Sequence, residues 1–176
     1  MVLNGPRPAM ADQAGVSDET QQLFRAYGAP LYRFARVVLR DRQDAEDVVQ
    51  TAFLRLLNHL RDGGNRSNLK GWLFAVAANL CRDQLRRRRR WLPWLPEHDR
   101  LLTQSPDVPS GDPEAVFLQT VRTLPPRDRM LLALRAQGLS YRQIAAATGI
   151  RETSVGRLLA RAMSRWQRAR AGMSRA

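Results

Sequence analysis

The stretch DRQDAEDVVQTAFLRLLNHL, residues 41–60, decides how the first half of this chain folds. Ala45, Val48, Val49, Ala52, Phe53, Leu56, Leu57 and Leu60 recur at i, i+3, i+4 and i+7, which draws one apolar stripe along a helix. Asp44, Asp47 and Thr51 fall on another side, with Glu46 and Gln50 flanking them. Such a helix packs its stripe on a core and presents carboxylates outward. Upstream, Leu23, Phe24, Tyr27, Leu31, Phe34, Ala35, Val38 and Leu39 keep helical spacing. Downstream, RDGGNRSN (61–68) interrupts it, with Gly63 and Gly64 ending the helix. A third helix is predicted from about Leu69 through the five-arginine block 86–90.

Helical patterning then stops. In WLPWLPEHDRLLTQSPDVPSG (91–111), Pro93, Pro96, Pro106, Pro109 and Gly111 exclude any long helix. After Pro113 the period returns, predicting helices over 113–123, 126–136, about 140–148, and from about Arg151 onward. No strand alternation of useful length and no internal repeat is present. The expected fold is therefore all-α, with two small helical domains joined by a flexible linker. The boundaries read as a disordered tail at 1–18, a first domain at 19–90, a linker at 91–111, a second domain at 112–170 and a tail at 171–176. Trp91, Leu92, Trp94 and Leu95 make the linker more apolar than a free tether should be.

Charge narrows the function. The chain has 29 basic and 16 acidic residues, a net charge of +13 and a pI near 11.5. A polyanion partner accounts for such an excess, because each neutralised phosphate releases a condensed counterion. Lys70 is the only lysine; genomic base composition produces the same bias, so the preference for arginine carries little weight. No apolar run approaches the roughly 18 residues of a spanning helix, and the N-terminal stretch lacks a signal-peptide core. A cytoplasmic protein without membrane insertion is expected. Cys81 is the lone cysteine, with only His59 and His98 beside it, so neither a disulfide nor a zinc site is expected. Cys81 sits in an apolar helical pattern, which fits a small core residue; a redox sensor is the alternative. No nucleophile–base cluster, metal spacing or phosphate-cradling glycine loop occurs, so no catalytic residue, metal or cofactor is expected.

The segment LSYRQIAAATGIRETSVGRLLARAMSRW (139–166) reads as a helix-turn-helix. Ser140 and Gln143 complete a capping box. Ile144, Ala145, Gly149, Ile150, Val155, Leu158 and Leu159 supply the core positions and the tight turn. The first turn of the second helix would enter the major groove, offering Arg151, Glu152, Thr153, Ser154 and Arg157, while Arg142 and Arg161 suit phosphates. From Gln137 onward there are eight arginines and one acid. Glu152 has a second reading, stabilising the helix dipole without touching a base.

In this order the pieces resemble the extracytoplasmic-function sigma factors of bacterial RNA polymerase. DAEDVVQTAFLRLL (44–57), LKGWLFAVAANLCRDQLRRRRR (69–90), LPPRDRMLLALRAQGLSYRQIAAATGI (124–150) and SVGRLLARAMSRW (154–166) carry the resemblance. It covers 22–90 as sigma domain 2 and 112–168 as sigma domain 4. The resemblance implies that Asp44, Glu46, Asp47 and Gln50 dock on the β′ clamp helices of core polymerase, with the β flap as the second domain's partner. It implies that loop 61–68 captures a flipped base of the −10 element through Asn65, Ser67 and Asn68. Asn79 and Arg82 would then face the melted strand, and Arg86 with its neighbours would hold phosphates. Trp72 and Phe74 suit base stacking and equally suit a core. The helix-turn-helix would read duplex DNA at −35, and an anti-sigma factor is a further partner. Ala75 and Ala78 stand where relatives often have basic residues, Gly156 replaces a usual lysine, and Arg157 takes a position that is often serine. The competing reading is a stand-alone helix-turn-helix regulator, which would have no use for the acidic helix.

Overall fold

The computed structural model describes residues 10–91 and 120–173, and these are helical with no strand among them. The first half holds α1 (Met10–Leu39), α2 (Arg42–Arg61) and α3 (Leu69–Trp91). The second holds a helical turn at 120–122, then α4 (Pro126–Ala136), α5 (Tyr141–Thr148) and α6 (Glu152–Met173). The all-α expectation is met. One boundary moves: α1 begins at Met10, so residues 10–18, expected as disordered tail, are helical. Val16 is buried and accepts a hydrogen bond at its carbonyl from Thr20 Oγ1 (2.7 Å), and Glu19 pairs with Arg66 at 3.2 Å. Polar residues there hide the helix in the sequence. The expected linker and the start of the helix predicted at 113–123 lie outside the described residues.

Local chemistry explains the breaks. Asp41 caps α2, its carboxylate accepting from the Asp44 amide at 2.8 Å. Arg40, between α1 and α2, adopts a left-handed φ of 61°, a conformation that costs a branched side chain about 1–2 kcal/mol. Pro126 opens α4 at a position whose amide would have no partner. Ser140 and Gln143 form the expected capping box at α5, and Gly149 closes that helix with φ 72°.

The stripe on α2 is the core it was read to be: Ala45, Val48, Ala52, Phe53, Leu56 and Leu60 are buried. Phe34 meets Phe74 edge-on at 5.7 Å, which settles Phe74 as a core residue rather than a base-stacking one. Cys81 is fully buried, as a small core residue should be.

The two halves do not hang apart. Seven consecutive residues of α4, Asp128 to Leu134, are buried, a helix enclosed on all sides. Its second covering face is α1, while α5 lies against α3, so the apolar residues of both halves make one continuous core. Arg129, only 5% exposed, passes from α4 to α1 and donates to the carbonyls of Val38 (3.0 Å), Leu124 (3.0 Å) and Arg122 (3.2 Å). Asp128 is buried against Arg165 of α6. A buried guanidinium demands such acceptors, since an unpaired charge there would cost several kcal/mol.

Candidate nucleic-acid interface

The acidic helix comes first. Glu46, Asp47 and Gln50 are exposed on α2 as the sequence expects, and Glu46 pairs with Arg42 at 2.8 Å. Asp44 behaves differently. Its carboxylate faces inward to Arg88 of α3, which also reaches Asp41 at 3.5 Å and the Leu39 carbonyl at 3.1 Å. One guanidinium thus ties the end of α1, the cap of α2 and the body of α3. Arg88, grouped in the sequence with phosphate-binding neighbours of Arg86, is a structural clamp.

Beside the exposed acids, α1 and α2 leave an open groove of about 730 Å³. Phe24, Tyr32, Val49, Phe53, Leu54 and Leu57 line it, with Glu46 and Gln50 at its rim. Phe24 is 52% and Leu54 56% exposed, so these large apolar side chains have no cover within the described chain. Periodicity placed Phe24 in the core; it meets Phe53 edge-on at 5.0 Å from the groove side.

Loop 61–68 is more built than a plain turn. Gly64 lies against the His59 ring, and a Cβ there would collide with it. His59 Nε2 is 3.1 Å from the Asn65 carbonyl, and its ring stacks on Trp72 at 4.6 Å between centroids. Asn65 Oδ1 accepts from the Ser67 amide (2.7 Å), and Asn68 Oδ1 accepts from the Gly71 amide (3.0 Å) at the start of α3. The sequence reading passed over His59. Its signal was there, an aromatic ring one turn before a double glycine and facing a tryptophan on the next helix, but only folding puts the two rings together. Trp72 is half-buried in this stack.

On α3, Asn79, Arg82 and Arg86 are exposed. Arg86 pairs with Asp83 at 2.6 Å. Arg82 donates to Asn79 Oδ1 and, across the molecule, to the Thr148 carbonyl at the end of α5. Ala78 is fully buried, so a basic side chain at that position would have to enter the core.

On α6, Arg151, Glu152, Thr153, Arg157 and Arg161 are exposed, with Arg142 on α5, and Ser154 is half-buried. Arg157, Arg161, Ser164, Arg165 and Arg168 flank a shallow hollow of about 310 Å³ down the same helix. Gly156 has a local reason: a Cβ there would stand 3.3 Å from Tyr141 Cε2, so the glycine admits the Tyr141 ring onto the recognition helix. Arg135 lies over that ring at 5.7 Å.

These placements agree with family comparisons. Residues 23–91 match the Sigma-70 region 2 model, and residues 115–165 match the Sigma-70 region 4 model. The ECF RNA polymerase sigma factor SigM of Mycobacterium tuberculosis is 32% identical over 162 residues, 90% of this chain and 80% of that protein. This chain belongs to the ECF sigma factor family. SigE of Mycolicibacterium smegmatis is 31% identical over 155 residues, and SigG of Mycobacterium tuberculosis 30% over 200 residues. The chain spans 58% and 52% of the lengths of those two ECF relatives. Among solved structures, the sigma factor RpoE bound to the anti-sigma factor NepR, from Bartonella quintana, matches with a TM-score of 0.70 and 27% identity, covering 87% of this chain and 96% of that one. CnrH in complex with the cytosolic domain of CnrY matches at 0.60 and 25%, covering 89% and 95%.

Proposed function

We propose that this ECF family member acts as an alternative sigma factor, binding core bacterial RNA polymerase and directing it to promoters. The observation that carries the reading is the family membership joined to an exposed acidic face on α2 beside an uncovered apolar groove. A partner helix with an apolar face and basic flanks would bury Phe24 and Leu54 while Glu46 and Asp47 steer and register it. The clamp helices of polymerase are the assigned occupant, with Asp44 anchoring α2 through Arg88 rather than touching the partner. The β flap would take the second half, and an anti-sigma factor would compete for these surfaces.

Promoter reading divides between the halves. Asn65, Ser67 and Asn68 in the loop, with Asn79, Arg82 and Arg86 on α3, would hold the melted −10 strand, and Trp72 would hold the loop through His59. Arg151, Glu152, Thr153, Ser154 and Arg157 would read the −35 duplex, with Arg142 and Arg161 on phosphates. Binding energy for the separated strand offsets unpairing, so the role needs no catalytic residue. No helix among the described residues is long and apolar enough to cross a membrane. The place of work is the cytoplasm, at the nucleoid when in holoenzyme.

The test mixes purified chain with core polymerase, measures complex formation, and follows run-off transcription from duplex and pre-melted promoter libraries. Submicromolar binding with start-site-specific transcripts is the expected result. Sequence-specific binding to duplex DNA without any binding to core would instead leave a free-standing regulator.

A further inference from the structure

We propose that the helix-turn-helix plugs this chain's own strand-reading surface, so that the free chain rests closed, open to polymerase but shut to a melted strand. The inference rests on the sigma-factor reading and concerns how its −10 site is regulated. Three polar cross-links join the halves. Arg82 Nη1 donates to the Thr148 carbonyl at 2.5 Å, Gln143 Nε2 donates to Asn68 Oδ1 at 3.1 Å, and Arg129 Nη2 donates to the Val38 carbonyl at 3.0 Å. The first two fall on residues assigned to the melted strand. Their chemistry is that of nucleic acid: a peptide carbonyl accepts from a guanidinium as a phosphate or base oxygen does, and a primary amide donates as an exocyclic amine does. Arg82 also holds Asn79, so one contact engages both residues. The left-handed turn at Gly149 brings the plug in close, for a Cβ there would lie 3.5 Å from Arg82 Nη1.

The remaining surfaces stay open in this form. Glu46, Asp47, Gln50 and the groove lie on α1 and α2, away from α5, and the recognition residues of α6 are exposed. Polymerase can therefore dock before the halves part, whereas a strand can enter α3 only afterwards. The polar contacts suit release, since each group passes to water on opening. Arg129 keeps Leu124 and Arg122 within its own half. The continuous apolar core holds the closed form until a partner with higher affinity for the open one shifts the balance.

The test uses the full chain carrying fluorophores at Arg55→Cys and Gln167→Cys, both exposed positions, while buried Cys81 stays unlabelled. Energy transfer should show one short-distance population, lengthened by core polymerase. Gln143→Glu keeps the capping box, since a carboxylate still accepts from the Ser140 amide, but sets that carboxylate against Asn68 Oδ1. Losing one such hydrogen bond should raise the open population about fivefold. Binding of a mixed-sequence 15-nucleotide single strand should tighten by a similar factor. Arg129→Met, which removes the link to α1, is a second opener. A wide-open wild-type chain, or variants that open without gaining strand affinity, would overturn the plug. A chain that is closed and gated towards DNA yet never binds polymerase would uphold it and remove the sigma-factor reading instead.

Discussion

Single side chains decide several questions that the sequence leaves open. Burial pushes the Cys81 thiol well above its ordinary range, with the Asp44 carboxylate adding to it, so the reactive thiolate is suppressed at neutral pH. Cys81 should resist a thiol reagent for hours in the folded chain and react at once in denaturant; rapid labelling of native protein would revive the redox reading. Gly156 costs its helix about 1 kcal/mol relative to alanine, and the structure sets that cost against the Tyr141 ring. Tyr141 is 45% exposed and free on its outer side to shift by tenths of an ångström. Gly156→Ala should therefore stabilise the fold by up to about 1 kcal/mol in urea titration, whereas a destabilised variant would show that the ring is fixed. His59→Ala removes the stack on Trp72 and the contact to Asn65, at a cost of about 1–2 kcal/mol. It should also weaken binding to a pre-melted promoter while leaving duplex −35 binding unchanged.

At the scale of elements, α2 serves two neighbours with two sets of acids. Asp44 turns to α3 and meets Arg88 where both side chains are about one-quarter exposed, so the pair is worth more than a surface bridge. Asp44→Asn should cost about 1–2 kcal/mol of stability, with polymerase affinity falling only as far as the fold does. Asp47 is exposed, and Asp47→Arg should leave thermal stability within about 0.5 kcal/mol of the parent while lowering core polymerase affinity at least tenfold. Equal affinity for parent and variant, measured by fluorescence titration, would remove the docking assignment. Periodicity made both acids look alike because it records the angle around the helix, not what stands opposite.

The whole molecule behaves as one body where the sequence suggests two. Because α4 packs against α1 and α5 against α3, the apolar core crosses the boundary between the family's two regions. Free chain should therefore unfold in a single calorimetric transition, and Arg129→Met should split it in two. Two transitions in the parent would mean that the halves fold independently.

The sequence by itself determined the helices, their caps and their family. Spacing of 3.6 residues, Asp41 and Ser140 as caps, and Gly149 as a turn are local facts that neighbours along the chain enforce. The exposed candidates followed as well, since Glu46, Asp47 and the arginines of α6 lie opposite their apolar stripes. Only the tertiary structure decided which charges are spent internally. Arg88, Arg129 and Asp128 look in sequence like any solvated residue, yet each ends against a partner between 7 and 91 positions away. A long polar side chain carries no mark of its partner, because hydrogen-bond geometry depends on distances that folding alone creates. The same reason hides the plug: Thr148 contributes a backbone carbonyl, a group every residue has, and only the packing of α5 on α3 makes that one matter.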